Sequence, residues 1–419
     1  MSQPISALGG VVTIIKNCSY CSGDLRLLVN LGCLPPVNVM DRATQEFLGF
    51  TAYPLTWAKC KDCKLVQILE ELDGSTVFPD AYPYLSGTTR ILRENFAEQF
   101  DEINAFLNLD SKDLIVDIGS NDGTLLSNYK STSKILGVEP TGAAAVAQAN
   151  GIETIKEFFS KESEEEIVKV FGRAKVVTAC NVFAHIPNLA NLMSAIYDLM
   201  MDEGVFISES HYLFSLVETL QFDTIYHEHL RYYSLEFLTR LFDDYGMDII
   251  RVKRIPTHGG SIRVWAAKKG VYSPDASVDE ILNYEKHCAA DPDLNLEDFV
   301  VRLLDWRQGF RNLISKLKSE KFSIAAIGAP SRASTLISFT GLSHLDLMSV
   351  GEIRGSHKIG RYMPGTSIPV VEESEILSGD VDYLLMLSWH IAEELMPKLR
   401  RGGFKGKFII PLPDPKIVD

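Results

Sequence analysis

Residues 222–235 read FDTIYHEHLRYYSL, a dense set of acid–base groups for so short a stretch. Asp223, Tyr226, His227, Glu228 and His229 stand among apolar residues, with Tyr232 and Tyr233 close behind. Ionisable side chains are costly to surround with apolar ones unless they are paired or put to use. A single histidine here would read as a loop residue satisfying nearby backbone groups. Three acid/base groups in succession, followed by tyrosines, read instead as a reaction centre. Such a centre needs elements that bring reactants to it, and the chain on either side supplies them.

Upstream, residues 114–126 read LIVDIGSNDGTLL. An apolar strand ends in Asp117, a turn built on Gly119 and Gly123 follows, and Thr124 opens a helix. Glycine lets backbone approach a ligand at the carboxyl end of a strand, where open α/β sheets bind cofactors. A second strand, 134–138, runs into Glu139-Pro140, an acid about twenty residues beyond the first turn and placed to grip ribose hydroxyls. A dinucleotide fingerprint opens its helix onto a pyrophosphate. Here Asn121-Asp122 aims an acid at that spot, which disfavours phosphate and favours an ammonium or sulfonium. The turn therefore predicts S-adenosylmethionine rather than NAD. Two more strands fit, 175–179 running into Asn181 and His185, and 204–208 running into Glu209. His185 falls at the rim where the donor's methyl should emerge. Phe158 or Phe159 either flanks adenine or packs in the core.

Near the amino end, Cys18-Ser-Tyr-Cys21 and Cys60-Lys-Asp-Cys63 make two C-x-x-C pairs. Two such knuckles supply the tetrahedral thiolate set that Zn²⁺ prefers, and four cysteines leave no open position, so the metal is structural. The segment between them is strand-like and fills a small β-module. Cys33, Cys180 and Cys288 read as core residues. At 419 residues the chain is too long for one core. A net charge of −14 argues against a nucleic-acid partner, which needs a basic face. No apolar run approaches the ~18 residues of a membrane helix. The amino terminus has neither a basic region nor a cleavage site, so the expected location is cytoplasmic.

Downstream, Thr257-His258-Gly259-Gly260-Ser261-Ile262-Arg263 interrupts a hairpin-like pattern with glycines that admit a ligand. Residues 275–320 are helical in period and form a connector. A strand at 322–327 then ends in Gly328-Ala329-Pro330-Ser331-Arg332, a second strand–turn–helix site whose N–H groups would be open to a phosphate. Arg332, Lys358, Arg361 and Tyr362 bring positive charge to an acidic chain, either as solvated surface or as part of that site.

Taken together, IGSNDGTLL, GVEP, NVFAHIPN, FDTIYHEHLRYYSL, HGGSIRV and GRYMPGT resemble the nucleotide-sugar C-methyltransferases, which build branched deoxysugars by tetronitrose-type C-3′-methylation. The resemblance runs over nearly the whole chain, and YHEH with HGGS is its most specific part. It implies an α/β protein of three domains. These are a zinc-binding β-module at 1–75, a Rossmann-like class I methyltransferase domain at 76–270, and a C-terminal α/β Rossmann-like domain at 271–419 that helps hold a nucleotide-linked 4-keto sugar. Glu139 would hold the donor ribose, with Gly119, Asn121, Asp122 and Asn181 nearby. Tyr226, Glu228 and His229 would face the sugar, His229 as base and His185 in support, and Tyr82 or Tyr84 would close the pocket. Three positions depart from the family pattern: Arg332 replaces lysine, Glu352 replaces aspartate, and Trp389-His390 replaces Trp-Asn. Arg and Lys are not equivalent at a phosphate, so these changes bear on which nucleotide and sugar are taken. The expected protein works as a monomer. Rival readings are an O- or N-methyltransferase and a non-catalytic scaffold.

Overall fold

The computed structural model describes residues 3–7, 10–40, 51–78, 84–291 and 294–419. The amino-terminal part carries two small antiparallel sheets. One joins β1 (Gln3–Ala7) and β2 (Gly10–Ile14) to β6 (Glu70–Leu72), and the other is built from β3 (Leu25–Leu34), β4 (Tyr53–Cys60) and β5 (Val66–Ile68). The second sheet gains a fourth strand from far along the chain, β12 (Arg231–Tyr232), which pairs Arg231 with Gln67 and Tyr232 with Val66. The reactive stretch is thereby stitched to the amino-terminal module.

The central domain is a seven-stranded sheet. Its parallel part comprises β7 (Leu114–Ile118), β8 (Lys134–Val138), β9 (Thr154–Ile155), β10 (Ala174–Cys180) and β11 (Met200–His211), and the antiparallel strands β13 (Met247–Ile255) and β14 (Ser261–Lys268) close one side. The order is β13-β14-β11-β10-β7-β8-β9. Alternate residues point to opposite faces of a strand. Thus Val176 and Val205 face the helix Arg90–Leu107, while Val177 and Phe206 face the helices Leu189–Leu199 and Leu235–Asp244. A sheet covered on both sides reads as continuous apolar runs, which is what its strands show. The strand expected at 204–208 extends to His211, so Glu209 lies inside it opposite Arg263 rather than at its end.

Helices Ala276–Ala290 and Leu296–Ser319 lead to the second α/β domain. Its parallel strands are β15 (Ile324–Ile327), β16 (Val350–Glu352), β17 (Val370–Glu372), β18 (Tyr383–Met386) and β19 (Lys407–Ile410), with β20 (Lys416–Val418) antiparallel at the edge, in the order β17-β16-β15-β18-β19-β20. The chain runs from β15 outward to one side and then returns to β18 on the other. The central sheet does the same at β7 and β10. Each reversal leaves a crevice at the carboxyl ends of its strands, where such sheets bind ligands. Phe222, Ile225 and Tyr232 of the reactive stretch sink into a core shared by Trp57 of the amino-terminal module and Trp306 and Phe339 of the carboxyl-terminal domain.

Candidate active site

Both crevices open into one cavity of about 1160 Å³, larger than the ~300–1,000 Å³ of an ordinary ligand site. Gly119, Asn121, Glu139, Pro140, Phe158, Asn181 and His185 line one end, and Ser331, Arg332, Glu352, Lys358, Ser388 and His390 the other. Tyr226, His227, Glu228 and His229 lie between, with His211, His258 and Asn38.

At the first end Gly119 has φ +70°, and a β-carbon there would sit 2.6 Å from Val182. Only glycine fits. The carboxylate of Glu139 accepts from Asn121 N at 3.0 Å and from Thr141 N at 2.9 Å. Asn181 is held at φ +57°, and its Oδ1 is buried without a partner among the described residues. This crevice thus combines a close backbone approach, a carboxylate and an unsatisfied acceptor, which suits a ribose and an ammonium. Tyr84 reaches the wall because Asn121 Nδ2 donates to its carbonyl and Ser86 N donates back to Asn121 Oδ1. Tyr82 lies outside the described residues.

The middle of the cavity is a set of rings packed edge-on and tilted against one another. His229 is 4 % exposed, with its ring centroid 4.0 Å from Tyr226, 4.9 Å from His185 and 4.7 Å from His211, and His258 lies 5.6 Å beyond His211. His229 Nδ1 is 2.7 Å from the Thr224 carbonyl oxygen. A carbonyl only accepts, so the proton sits on Nδ1 and Nε2 keeps a free lone pair. Burial pushes the imidazoles of His185, His227 and His258 down to about 4. It pushes those of His211 and His229 well below the ordinary range, and the neighbouring rings add to that. All five are neutral at pH 7. Burial, then the nearby Glu228, drives the Tyr226 hydroxyl well above its usual range, so it stays a phenol and a hydrogen-bond donor. Glu228 Oε1 accepts from Asn38 Nδ2 at 2.7 Å, and Asn38 Oδ1 accepts from Ser331 Oγ at 2.8 Å, so one amide joins all three domains.

Two family models match the chain: a methyltransferase domain over residues 91–252 and a C-methyltransferase C-terminal domain over residues 256–413. The chain is 29% identical over 416 residues to the C-methyltransferase NovU of Streptomyces niveus, covering 97% of this chain and 98% of that protein. The chain is an S-adenosylmethionine-dependent methyltransferase with a C-methyltransferase C-terminal domain. Among solved structures, an S-adenosylmethionine-dependent methyltransferase from Clostridium acetobutylicum is 14% identical, over 42% of this chain and 92% of its own, with a TM-score of 0.35. Magnesium protoporphyrin IX methyltransferase from Synechocystis, also 14% identical, matches 42% of this chain and 79% of its own, with a TM-score of 0.33.

Several residues expected at the methyltransferase's ligands stand behind the wall. Asp117 is buried and accepts from Thr178 Oγ1 at 2.6 Å; burial raises its carboxyl to about 7. Asp122 is not on the cavity wall, and its carboxylate holds Gly87 N at 2.8 Å and Thr124 Oγ1 at 2.6 Å. Gly123 packs its turn against Ile152. Arg263 is 0 % exposed and spends its guanidinium on Glu209 at 2.6 Å, Glu102 at 2.7 Å and Asn95 at 2.8 Å, which makes it a sheet-to-helix tie. Of HGGS only His258 reaches the cavity. Gly259 O accepts from Gln221 Nε2 at 2.6 Å, Gly260 is pressed against Ser215, and Ser261 Oγ donates to Thr257 O at 3.0 Å. Arg361 donates to the Met40 carbonyl at 2.9 Å, and Tyr362 bridges to Pro369, both outside the wall.

Arg332 does line the wall, but its guanidinium is already bound. Nε and Nη2 fork onto Asp223 at 2.9 and 2.8 Å, and Nη2 also reaches Gln221 Oε1 at 2.8 Å. Trp389 Nε1 donates to the same Asp223 carboxylate at 2.8 Å. Sequence reasoning did not single out Asn38 or His211 as site residues. His211 ends a strand at the same rim as His185, a signal that was available, whereas nothing in PPVNVM marks Asn38.

Proposed function

We propose that this methyltransferase places a methyl group on C-3′ of a nucleotide-linked 4-keto deoxysugar, after removing the proton α to the ketone. The observation that carries this reading is His229, a neutral imidazole with its Nδ1 proton fixed on a carbonyl, set between the two strand-end crevices of one cavity. Methylating carbon requires a carbanion equivalent, and a ketone acidifies its neighbouring C–H. Nε2 of His229 takes that proton, and the electron pair passes to the ketone oxygen. Tyr226 donates its O–H to the developing oxyanion, a contact of a kind worth on the order of 10²–10³ in rate. Glu228, oriented by Asn38, holds a sugar hydroxyl. Bound S-adenosylmethionine supplies the electrophilic methyl that the carbon takes up. Glu139, Asn121 and Asn181 are the residues that would hold it.

The four cysteines fit a structural zinc. Cys18 and Cys63 Sγ lie 3.5 Å apart, Cys21 and Cys60 likewise, and all four within 4.8 Å of one another. Tetrahedral Zn–S bonds of ~2.3 Å imply S···S near ~3.8 Å, inside that spread.

The test is incubation with 4-keto-6-deoxy nucleotide sugars in D₂O. With S-adenosylhomocysteine present we expect deuterium at C-3′, and with S-adenosylmethionine a C-3′-methyl product. His229→Asn should lower both by about 10²–10⁴-fold. Methylation without C–H exchange, undiminished in His229→Asn, would move the acceptor to a hydroxyl or amine.

A further inference from the structure

The second crevice repeats the first, residue for residue, in one respect. In the central sheet Ile118 pairs with Val138, so Gly119 stands opposite Glu139. In the carboxyl-terminal sheet Ile327 pairs with Gly351, so Gly328 stands opposite Glu352. Both glycines have positive φ, +70° and +84°. Both are pressed against the second residue after the strand across the reversal, Val182 in one case and Ser388 in the other. Both acids reach back to the turn: Glu139 accepts from Asn121 N at 3.0 Å, and Glu352 Oε1 from Ala329 N at 2.6 Å.

The second turn is also poor in groups for a phosphate. Gly328 N donates to Gly351 O at 2.9 Å, Ala329 N is taken by Glu352, and Pro330 has no N–H. The Arg332 guanidinium is forked onto Asp223. A phosphate laid on this turn would meet a carboxylate, which repels it. The glycine turn itself therefore offers a phosphate no N–H, leaving only those of Ser331 and Arg332 at the helix start, and what stands at the turn is the arrangement by which such folds read ribose hydroxyls.

Taking as given that the acceptor is a nucleotide-linked sugar, we infer that Glu352 binds the ribose hydroxyls of its nucleoside and that Lys358, not the glycine turn, meets its diphosphate. Lys358 lines the same wall and donates to Ala329 O at 2.6 Å, with no ion-pair partner among the described residues. Two ammonium protons remain for an anion. The acid holds the N–H of Ala329 and the cation its carbonyl, so a ribose and the diphosphate attached to it can be read at one turn.

The test is calorimetric titration of the full chain with UDP, GDP and dTDP, and with the 2′,3′-dideoxy form of whichever binds. S-Adenosylhomocysteine is titrated in parallel. Glu352→Gln should weaken the nucleoside diphosphate about 10- to 100-fold, and removing the ribose hydroxyls should then cost nothing further. Its affinity for S-adenosylhomocysteine should stay as in the wild type, which also shows that the variant is folded. Lys358→Met should weaken the diphosphate while sparing the free nucleoside. Unchanged or tighter diphosphate binding by Glu352→Gln would overturn the assignment, the tighter case meaning that Glu352 faces phosphate. If wild-type protein binds none of the three diphosphates, the nucleotide-sugar reading itself falls and takes this one with it.

Discussion

Asn38 is the smallest part of the site with the widest reach. Its amide touches Glu228 on one side and Ser331 on the other, so it helps set the direction of the carboxylate that faces the cavity. Asn38→Ala should lower kcat at least about tenfold while leaving S-adenosylhomocysteine affinity unchanged, because one charge-assisted hydrogen bond is lost and the first crevice is untouched. Steady-state kinetics with parallel titration separate the two. The buried imidazoles predict a pH dependence whose sign is fixed. His185, His227 and His258 are depressed to about 4 in the folded chain, against ~6.5 when unfolded. Between those values the unfolded chain binds protons that the native one does not. Stability is therefore fully kept above pH ~6.5 and falls as the pH drops towards 4. Urea midpoints measured from pH 7 to 4.5 should decline, and His185→Gln with His258→Gln should flatten the decline. For the same reason the acid limb of kcat should lie below pH 6.5.

At the scale of elements, the helix Ser331–Thr340 carries the second crevice and grips the reactive stretch through Arg332 and Asp223. The pair is nearly dry, with side-chain exposures of 7 % and 1 %. Arg332→Met would strand a buried carboxylate and should destabilise the chain by about 3–5 kcal/mol. Arg332→Met with Asp223→Asn should recover part of that loss, as a double-mutant cycle in urea would show. This ion pair also marks where sequence reading stops. The glycine turn and Glu139 were legible because backbone approach and strand-end acids obey local rules. The cysteine pairs were legible because their spacing is itself a geometry. Arg263 was misplaced, and the engagement of Arg332 was not foreseen, because a sequence shows charge but not the distant carboxylate that consumes it. Asp223 lies 109 positions from Arg332, and Glu209 lies 54 from Arg263. The carboxylate at the Gly328 turn was hidden in the same way, since Glu352 is brought there only by the register of β15 and β16.

At the scale of the molecule, the amino-terminal module acts as a wall of the site rather than an appendage. It delivers Asn38, it accepts the ring of His227 at the Pro54 carbonyl at 2.9 Å, and it pairs β5 with β12, which begins two residues after His229. If zinc holds the four cysteines, chelation should loosen this wall. Activity should then be lost and tryptophan emission should change as Trp57 leaves its core, while S-adenosylhomocysteine still binds. Fluorescence and calorimetry before and after treatment with a chelator check this, and readdition of Zn²⁺ should reverse it. Trp389, near the carboxyl end, secures the same Asp223 that Arg332 holds. A polypeptide emerging from the ribosome can therefore complete its donor crevice early, but it cannot assemble a working reaction chamber until nearly all of it has been made. Partial products of synthesis would bind the methyl donor without being able to use it.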